Sequence, residues 1–117
     1  MLNQVVMVGR LTNDPVVEKV DNDKEVANIT LAVPRSYKNA DGVYETDFID
    51  CVLWNSIATN TAEYTKKGDM IGIKGRVQSN MYENDAGELK KSTQIVAEKV
   101  TFLSSRSQEK DQEDLDM

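Results

Sequence analysis

The sequence predicts an all-β fold, a five-stranded Greek-key barrel with one short helix between its third and fourth strands. Three observations point there. Five segments of β-branched and aromatic composition are separated by turn residues, one stretch carries small and apolar residues at helical spacing, and the order is three strands, helix, two strands. The same periodicity is compatible with another small barrel.

The first strand spans Asn3 to Leu11, valine-rich on both faces, and stops before the turn Asn13-Asp14-Pro15. Val16 to Val20 adds a short extension, and Asp21-Asn22-Asp23 makes a polar turn. The second strand runs Val26 to Val33, with Ile29, Leu31 and Val33 on one face, and Pro34 closes it. Ser36 to Tyr44 reads as an exposed hairpin loop around Asn39-Ala40-Asp41-Gly42, whose glycine supplies a positive φ. The third strand is Thr46 to Trp54. The helix, Ser56 to Thr65, places Ile57, Ala58, Thr61, Ala62 and Thr65 on one side, with Asn55 or Ser56 as its cap. Lys66-Lys67-Gly68-Asp69 ends it with cations near the negative end of the dipole and then a glycine. Met70 to Tyr82 is the fourth strand, Asn84-Asp85-Ala86-Gly87 a turn, and Ser92 to Phe102 the fifth strand. This is the OB-fold order.

Composition limits the rest. The chain has 117 residues, 39% hydrophobic, enough for one domain over residues 1–103. No stretch approaches the roughly 20 apolar residues of a membrane span, and the N-terminus lacks a signal-peptide pattern, so a soluble, cytoplasmic protein with no membrane association is expected. Cys51 is the single cysteine and histidine is absent, which argues against disulfides and a zinc site. The net charge of -6 is uneven: 15 acidic and 12 basic residues lie before Ser104, five acidic and two basic from Ser104 on. Residues 104–117 have too little apolar surface to offset ordering entropy and are expected to form a disordered acidic tail.

Period-2 splitting of two strands separates core from surface. On the third strand Ile49, Cys51 and Leu53 form an apolar face, opposite Phe48, Asp50, Val52 and Trp54. On the fourth, Ile71, Ile73 and Val77 face the core, leaving Lys74, Arg76, Gln78, Asn80 and Tyr82 outside. Cations interleaved with aromatics suit unpaired nucleic acid, because rings stack on exposed bases while positive groups follow phosphates. Tyr37 and Tyr82 extend the pattern at loop or hairpin positions. Phe48 and Trp54 taken singly fit a second small core or a subunit interface better than a binding face.

Other motifs carry no chemistry. Asp21-Asn22-Asp23-Lys24-Glu25 lacks the glycine and terminal acid of a calcium loop. Glu83, Asp85 and Glu88 belong to a solvated hairpin tip, and Asp47 and Asp50 point to opposite faces of a strand. Cys51 faces the core with no base to activate it. No enzyme, metal or cofactor is expected.

From Asn3 to about Leu103 the chain closely resembles bacterial single-stranded DNA-binding proteins. The carriers are Val8-Gly9-Arg10-Leu11-Thr12 with Asp14-Pro15, Ala27 through Val33, Thr46-Asp47-Phe48, Val52-Leu53-Trp54, Lys66-Lys67-Gly68-Asp69, Gly75-Arg76-Val77, Val96-Ala97 and Phe102-Leu103. The resemblance implies coating of single-stranded DNA during replication, recombination or repair, with base stacking at Tyr37, Phe48, Trp54 and Tyr82. Arg10, Arg35, Lys74 and Arg76 are candidate phosphate contacts, Gln78 and Asn80 candidate polar contacts, and Lys66 and Lys67 weaker candidates. It further implies a homotetramer in which first strands pair between subunits, with Asn3, Val5 and Met7 at the interface and no polar face among Val5, Val6, Met7 and Val8.

The chain departs from the family pattern twice. Gln78, Ser79, Asn80 and Met81 stand where basic residues are usual, which predicts weaker binding at high salt and a shallower salt dependence. The tail ends Glu113-Asp114-Leu115-Asp116-Met117, without the long linker and the proline and phenylalanine end that partner proteins recognise. Recruitment of replication or repair proteins through the acidic tail stays open, as does competition of the tail with DNA for the basic face. The competing reading from another class is an OB-fold protein-interaction module of a replication or restart complex, favoured by the negative charge. Retention of all four aromatic positions opposes it.

Overall fold

The computed structural model describes residues 2–104. Of the tail expected over residues 104–117, Ser104 instead ends the last strand, paired with Met70, and residues 105–117 lie outside the described residues. The elements are β1 (Val5–Leu11), β2 (Val17–Lys19), β3 (Glu25–Lys38), β4 (Tyr44–Trp54), α1 (Asn55–Tyr64), β5 (Met70–Glu83) and β6 (Leu89–Ser104), with a 3-10 turn at Asp21–Asp23. Strand order is β1-β5-β6-β4-β3-β2, and β1 also pairs with β3. The five strands other than β2 therefore close into a barrel, with β2 added on the outer edge of β3. All pairings are antiparallel except β4 with β6. This closed barrel, with one helix after its third strand, is the expected OB-fold.

Alternation along each strand fills the barrel. Leu11, Ile29, Leu31, Cys51, Leu53, Ile71, Ile73 and Ile95 are buried in one cluster, which Ala58 of α1 joins. Six of these are aliphatic residues no more than 2% exposed, and removing such a side chain costs about 2–5 kcal/mol.

Several boundaries differ from the sequence expectation. The strand expected to end at Val33 continues through Pro34, which pairs with Thr46, to Lys38. Ala32 is the last β3 residue with a β1 partner, so at Pro34 one edge of the strand is unpaired and proline is tolerated. Between Pro34 and Lys38 the register shifts: Lys38 pairs with Tyr44, leaving Arg35, Ser36 and Tyr37 against Glu45 alone. The exposed loop thus shrinks to residues 39–43. The last strand begins at Leu89, three residues before Ser92, because the hairpin ladder extends to Glu83 and Leu89. Val16 to Val20 contributes β2, paired with β3 through Val17, Glu18 and Lys19.

The two hairpin loops share one construction. In each an asparagine N–H bonds to the carbonyl oxygen four residues on, Asn39 to Val43 and Asn84 to Glu88, both at 2.9 Å. Each asparagine Oδ1 accepts two further N–H groups, from Asp41 and Val43 in one loop and Ala86 and Glu88 in the other. Gly42 and Gly87 supply the positive φ, +77° and +78°.

The expected cap of α1 is not made. Asn55 is already helical by hydrogen bonding, has φ +55°, and its Oδ1 accepts the Glu25 N–H at 3.2 Å. It ties the helix entrance to β3 instead. At the other end the helix stops at Tyr64, so Lys66 and Lys67 follow it; the Asp69 carboxylate accepts the Lys66 N–H and Asp14 accepts that of Lys67.

Candidate nucleic-acid interface

Strand register joins residues that periodicity assigned separately. Asn28 pairs with Val52, Val52 with Val96, and Val96 with Arg76, a continuous row over β3, β4, β6 and β5. Side chains in such a row share a face. Phe48 and Trp54 of β4 and Lys74 and Arg76 of β5 therefore belong to one outer surface. Phe48 is 66% exposed and Trp54 39%.

Val52 does not belong to the accessible part of that surface. It is 3% exposed, although it alternates with Phe48, Asp50 and Trp54. It sits in mid-row, paired with Asn28 of β3 on one side and Val96 of β6 on the other. Asp50 accepts a hydrogen bond from Thr30 Oγ1 at 2.9 Å. Val77, expected in the core, is 39% exposed because β5 has left the closed part of the barrel by that point.

Tyr37 and Tyr82 lie on strands, not in loops. Tyr37 falls in the irregular stretch near the end of β3 and is 63% exposed; Tyr82 lies one residue from the end of β5 and is 51% exposed. Gln78 and Asn80 accompany Tyr82 on the outer side of β5, with Gln78 Nε2 donating to Asn80 Oδ1 at 3.3 Å.

The four candidate cations are in different situations. Lys74 and Arg76 are exposed and form no ion pair among the described residues. Arg10 lies at the β1–β5 seam and donates from Nη1 to the Gly68 carbonyl oxygen at 3.0 Å. Arg35 is committed to carboxylates. Its Nη1 lies 2.6 Å from Glu45 Oε2 and its Nη2 2.9 Å from Asp47 Oδ1. Asp47 hydrogen-bonding pushes the guanidinium pKa up, and the same bond holds the Asp47 carboxyl below the usual carboxylate range. The expectation of Arg35 as an available phosphate contact therefore meets a cation already neutralised.

The expected interface residues of β1 differ in exposure from their neighbours. Val5 and Met7 pack against the core, whereas Val6 and Val8 are 73% and 47% exposed. Asn3 uses its side-chain amide as a substitute strand: Nδ2 donates to the Val77 carbonyl oxygen and Oδ1 accepts the Val77 N–H, both at 2.9 Å. From Val5 to Gly9, β1 is paired only with β5, leaving its other edge open. An apolar groove of about 280 Å³ adjoins that edge, lined by Val8, Ala32, Pro34 and Met70 among others.

Two aromatic features escaped the strand pattern. The Tyr64 and Phe102 rings, both exposed, are 5.9 Å apart across α1 and β6. Lys38 Nζ lies 5.6 Å from the centre of the Tyr44 ring. Tyr44 belongs to the segment that reads as a loop in the sequence but opens β4, and nothing in local spacing links Tyr64 to Phe102.

Comparison with known proteins agrees with this geometry. The chain is 44% identical over 110 residues to single-stranded DNA-binding protein B of Bacillus subtilis, covering 94% of this chain and 97% of that one. It is 48% identical over 106 residues, 91% of its length, to the single-stranded DNA-binding protein of Halalkalibacterium halodurans and to single-stranded DNA-binding protein 3 of Listeria innocua. It spans only 63% and 66% of those two proteins. The model of the single-strand binding protein family matches residues 2–103, the whole barrel. With fold, exposed aromatic face and relatives in agreement, this chain belongs to the single-strand binding protein family.

Proposed function

We propose that the protein binds and coats single-stranded DNA without strong sequence preference, in replication, recombination or repair. The observation that carries this is the exposure of Phe48 and Trp54 on the face that strand register shares with Arg76. Exposed rings of this kind gain about 1–3 kcal/mol for each base that stacks on them, and only unpaired strands offer bases to stack. Tyr37 and Tyr82 extend the platform. Lys74, Arg76 and Arg10 meet phosphates, with Gln78 and Asn80 as polar contacts. The role is binding, not catalysis, in the cytoplasm. The names of the relatives support the same substrate.

The protein acts as a homotetramer in which the open edge and exposed valines of β1 meet another copy. Exposed strand edges are normally covered, and Val6, Val8 and the adjoining groove make this edge apolar. One observation favours a second reading, a protein-interaction module with weak DNA binding: the neutralised Arg35 reduces the positive charge of the face.

Titration of Trp54 fluorescence with a long oligothymidine, against a duplex control, separates the two. Quenching that saturates at a definite stoichiometry, absent with duplex, is expected for base stacking on the single tryptophan. Unchanged fluorescence together with no complex in a mobility assay would refute single-strand binding.

A further inference from the structure

We propose that Arg35 is a positioning residue that holds Tyr37 for base stacking, and not a phosphate contact; this deepens the single-strand reading and rests on it. The irregular stretch of β3 sets three residues, Arg35, Ser36 and Tyr37, against Glu45 alone. Surplus residues of this kind redirect side chains, and without a brace they are free to slide. Arg35 supplies the brace at the start of the stretch.

All three guanidinium nitrogens donate to carboxylates. Nε reaches both Asp47 oxygens at 3.2 Å, Nη2 reaches Asp47 Oδ1 at 2.9 Å, and Nη1 reaches Glu45 Oε2 at 2.6 Å. Glu45 is tied onward to the hairpin loop, since Asn39 Nδ2 donates to its Oε1 at 3.3 Å. At the far end of the stretch, Lys38 lies over the Tyr44 ring. The three surplus residues are therefore pinned on both sides, and Tyr37, between the pins, is left 63% exposed.

Charge argues the same way. One guanidinium set between two carboxylates leaves the cluster with a net negative charge, which repels a phosphate. A lone exposed ion pair contributes little, but a planar fork shared between two carboxylates fixes direction as well as distance. Lysine, a point charge on a flexible stem, satisfies a phosphate and cannot reproduce that fork.

The test compares Arg35→Gln and Arg35→Lys, each alone and with Tyr37→Ala, by oligothymidine titration across a salt series. Arg35 is partly exposed and outside the core, so the variants are expected to fold. Each single Arg35 variant should weaken binding about fivefold, the lower end of one stacked base, with the salt slope of the unsubstituted protein. In the Tyr37→Ala background neither should change affinity by more than about twofold. A phosphate contact gives the opposite pattern: Arg35→Lys binds normally, while Arg35→Gln is weaker with a slope shallower by about 0.7. That result would overturn the proposal, as would Arg35 effects of full size without Tyr37, or no effect of either variant. Failure of the unsubstituted protein to bind would remove the single-strand reading and this proposal together; every other outcome leaves that reading standing.

Discussion

Gly75→Ala probes the tightest of the barrel's glycine positions. A Cβ at Gly75 would lie 2.1 Å from the Val96 carbonyl oxygen and 3.2 Å from Ala97 Cα, whereas at Gly72 on the same strand the nearest atom is 3.8 Å away. Carbon atoms come to rest against their neighbours at roughly 3.5 Å, so β5 and β6 must separate by about 1 Å where their register already shifts between Lys74 and Gly75. Such a displacement breaks about two ladder hydrogen bonds at about 1 kcal/mol each and adds about 1–3 kcal/mol of strain. The expected loss is about 3–5 kcal/mol, or roughly 12 °C or more in Tm for a domain of this size. Gly72→Ala should stay within about 1 kcal/mol of the unsubstituted protein. Urea and thermal unfolding at one fixed protein concentration measure both, which keeps the concentration dependence expected of the proposed assembly out of the comparison. Equal stability of the two variants would refute the close-approach argument. Because Gly75 lies between Lys74 and Arg76, DNA affinity should fall in Gly75→Ala and not in Gly72→Ala.

Two further expectations concern the core and the open edge. Cys51 is 1% exposed, and burial pushes its thiol up to about 12, so the folded protein should resist maleimide at neutral pH while the unfolded chain reacts at once. The sign follows from the raised pKa. The contribution to stability is complete below the ordinary thiol value and is lost as pH rises towards about 12, because the unfolded thiol ionises first; Cys51→Ala should flatten the alkaline limb of a stability profile, and an unchanged limb would contradict this. Val6→Asp, at an exposed β1 position, should reduce the mass measured by light scattering while leaving far-ultraviolet circular dichroism unchanged. An unaltered mass would place the subunit contact elsewhere.

Much of the fold was legible because its signals are local. Ile29 with Leu31, and Ile71 with Ile73, alternate at the strand period, and Asn-x-x-Gly marks both hairpin turns. The residues that went astray were those governed by distant neighbours. Pro34 reads as a strand end by its own chemistry, but it is admitted because β1 has already parted from β3. Asn55 reads as a cap, but Glu25, thirty residues earlier in the chain, claims its side chain.

The candidate site divides along the same line. Composition and alternation establish which residue types are present and which share a face: two aromatics on one face of β4, two cations on one face of β5, and valine at consecutive positions in β1. Strand pairing and packing add that Phe48, Trp54 and Arg76 share a surface, that Arg35 is paired with Glu45 and Asp47, and that Val6 and Val8 are more exposed than Val5 and Met7. Periodicity tells which residues of a strand share a side, but it says neither which side faces inward nor what stands opposite. Those are set by barrel closure and strand register, which depend on pairings between residues far apart in the chain.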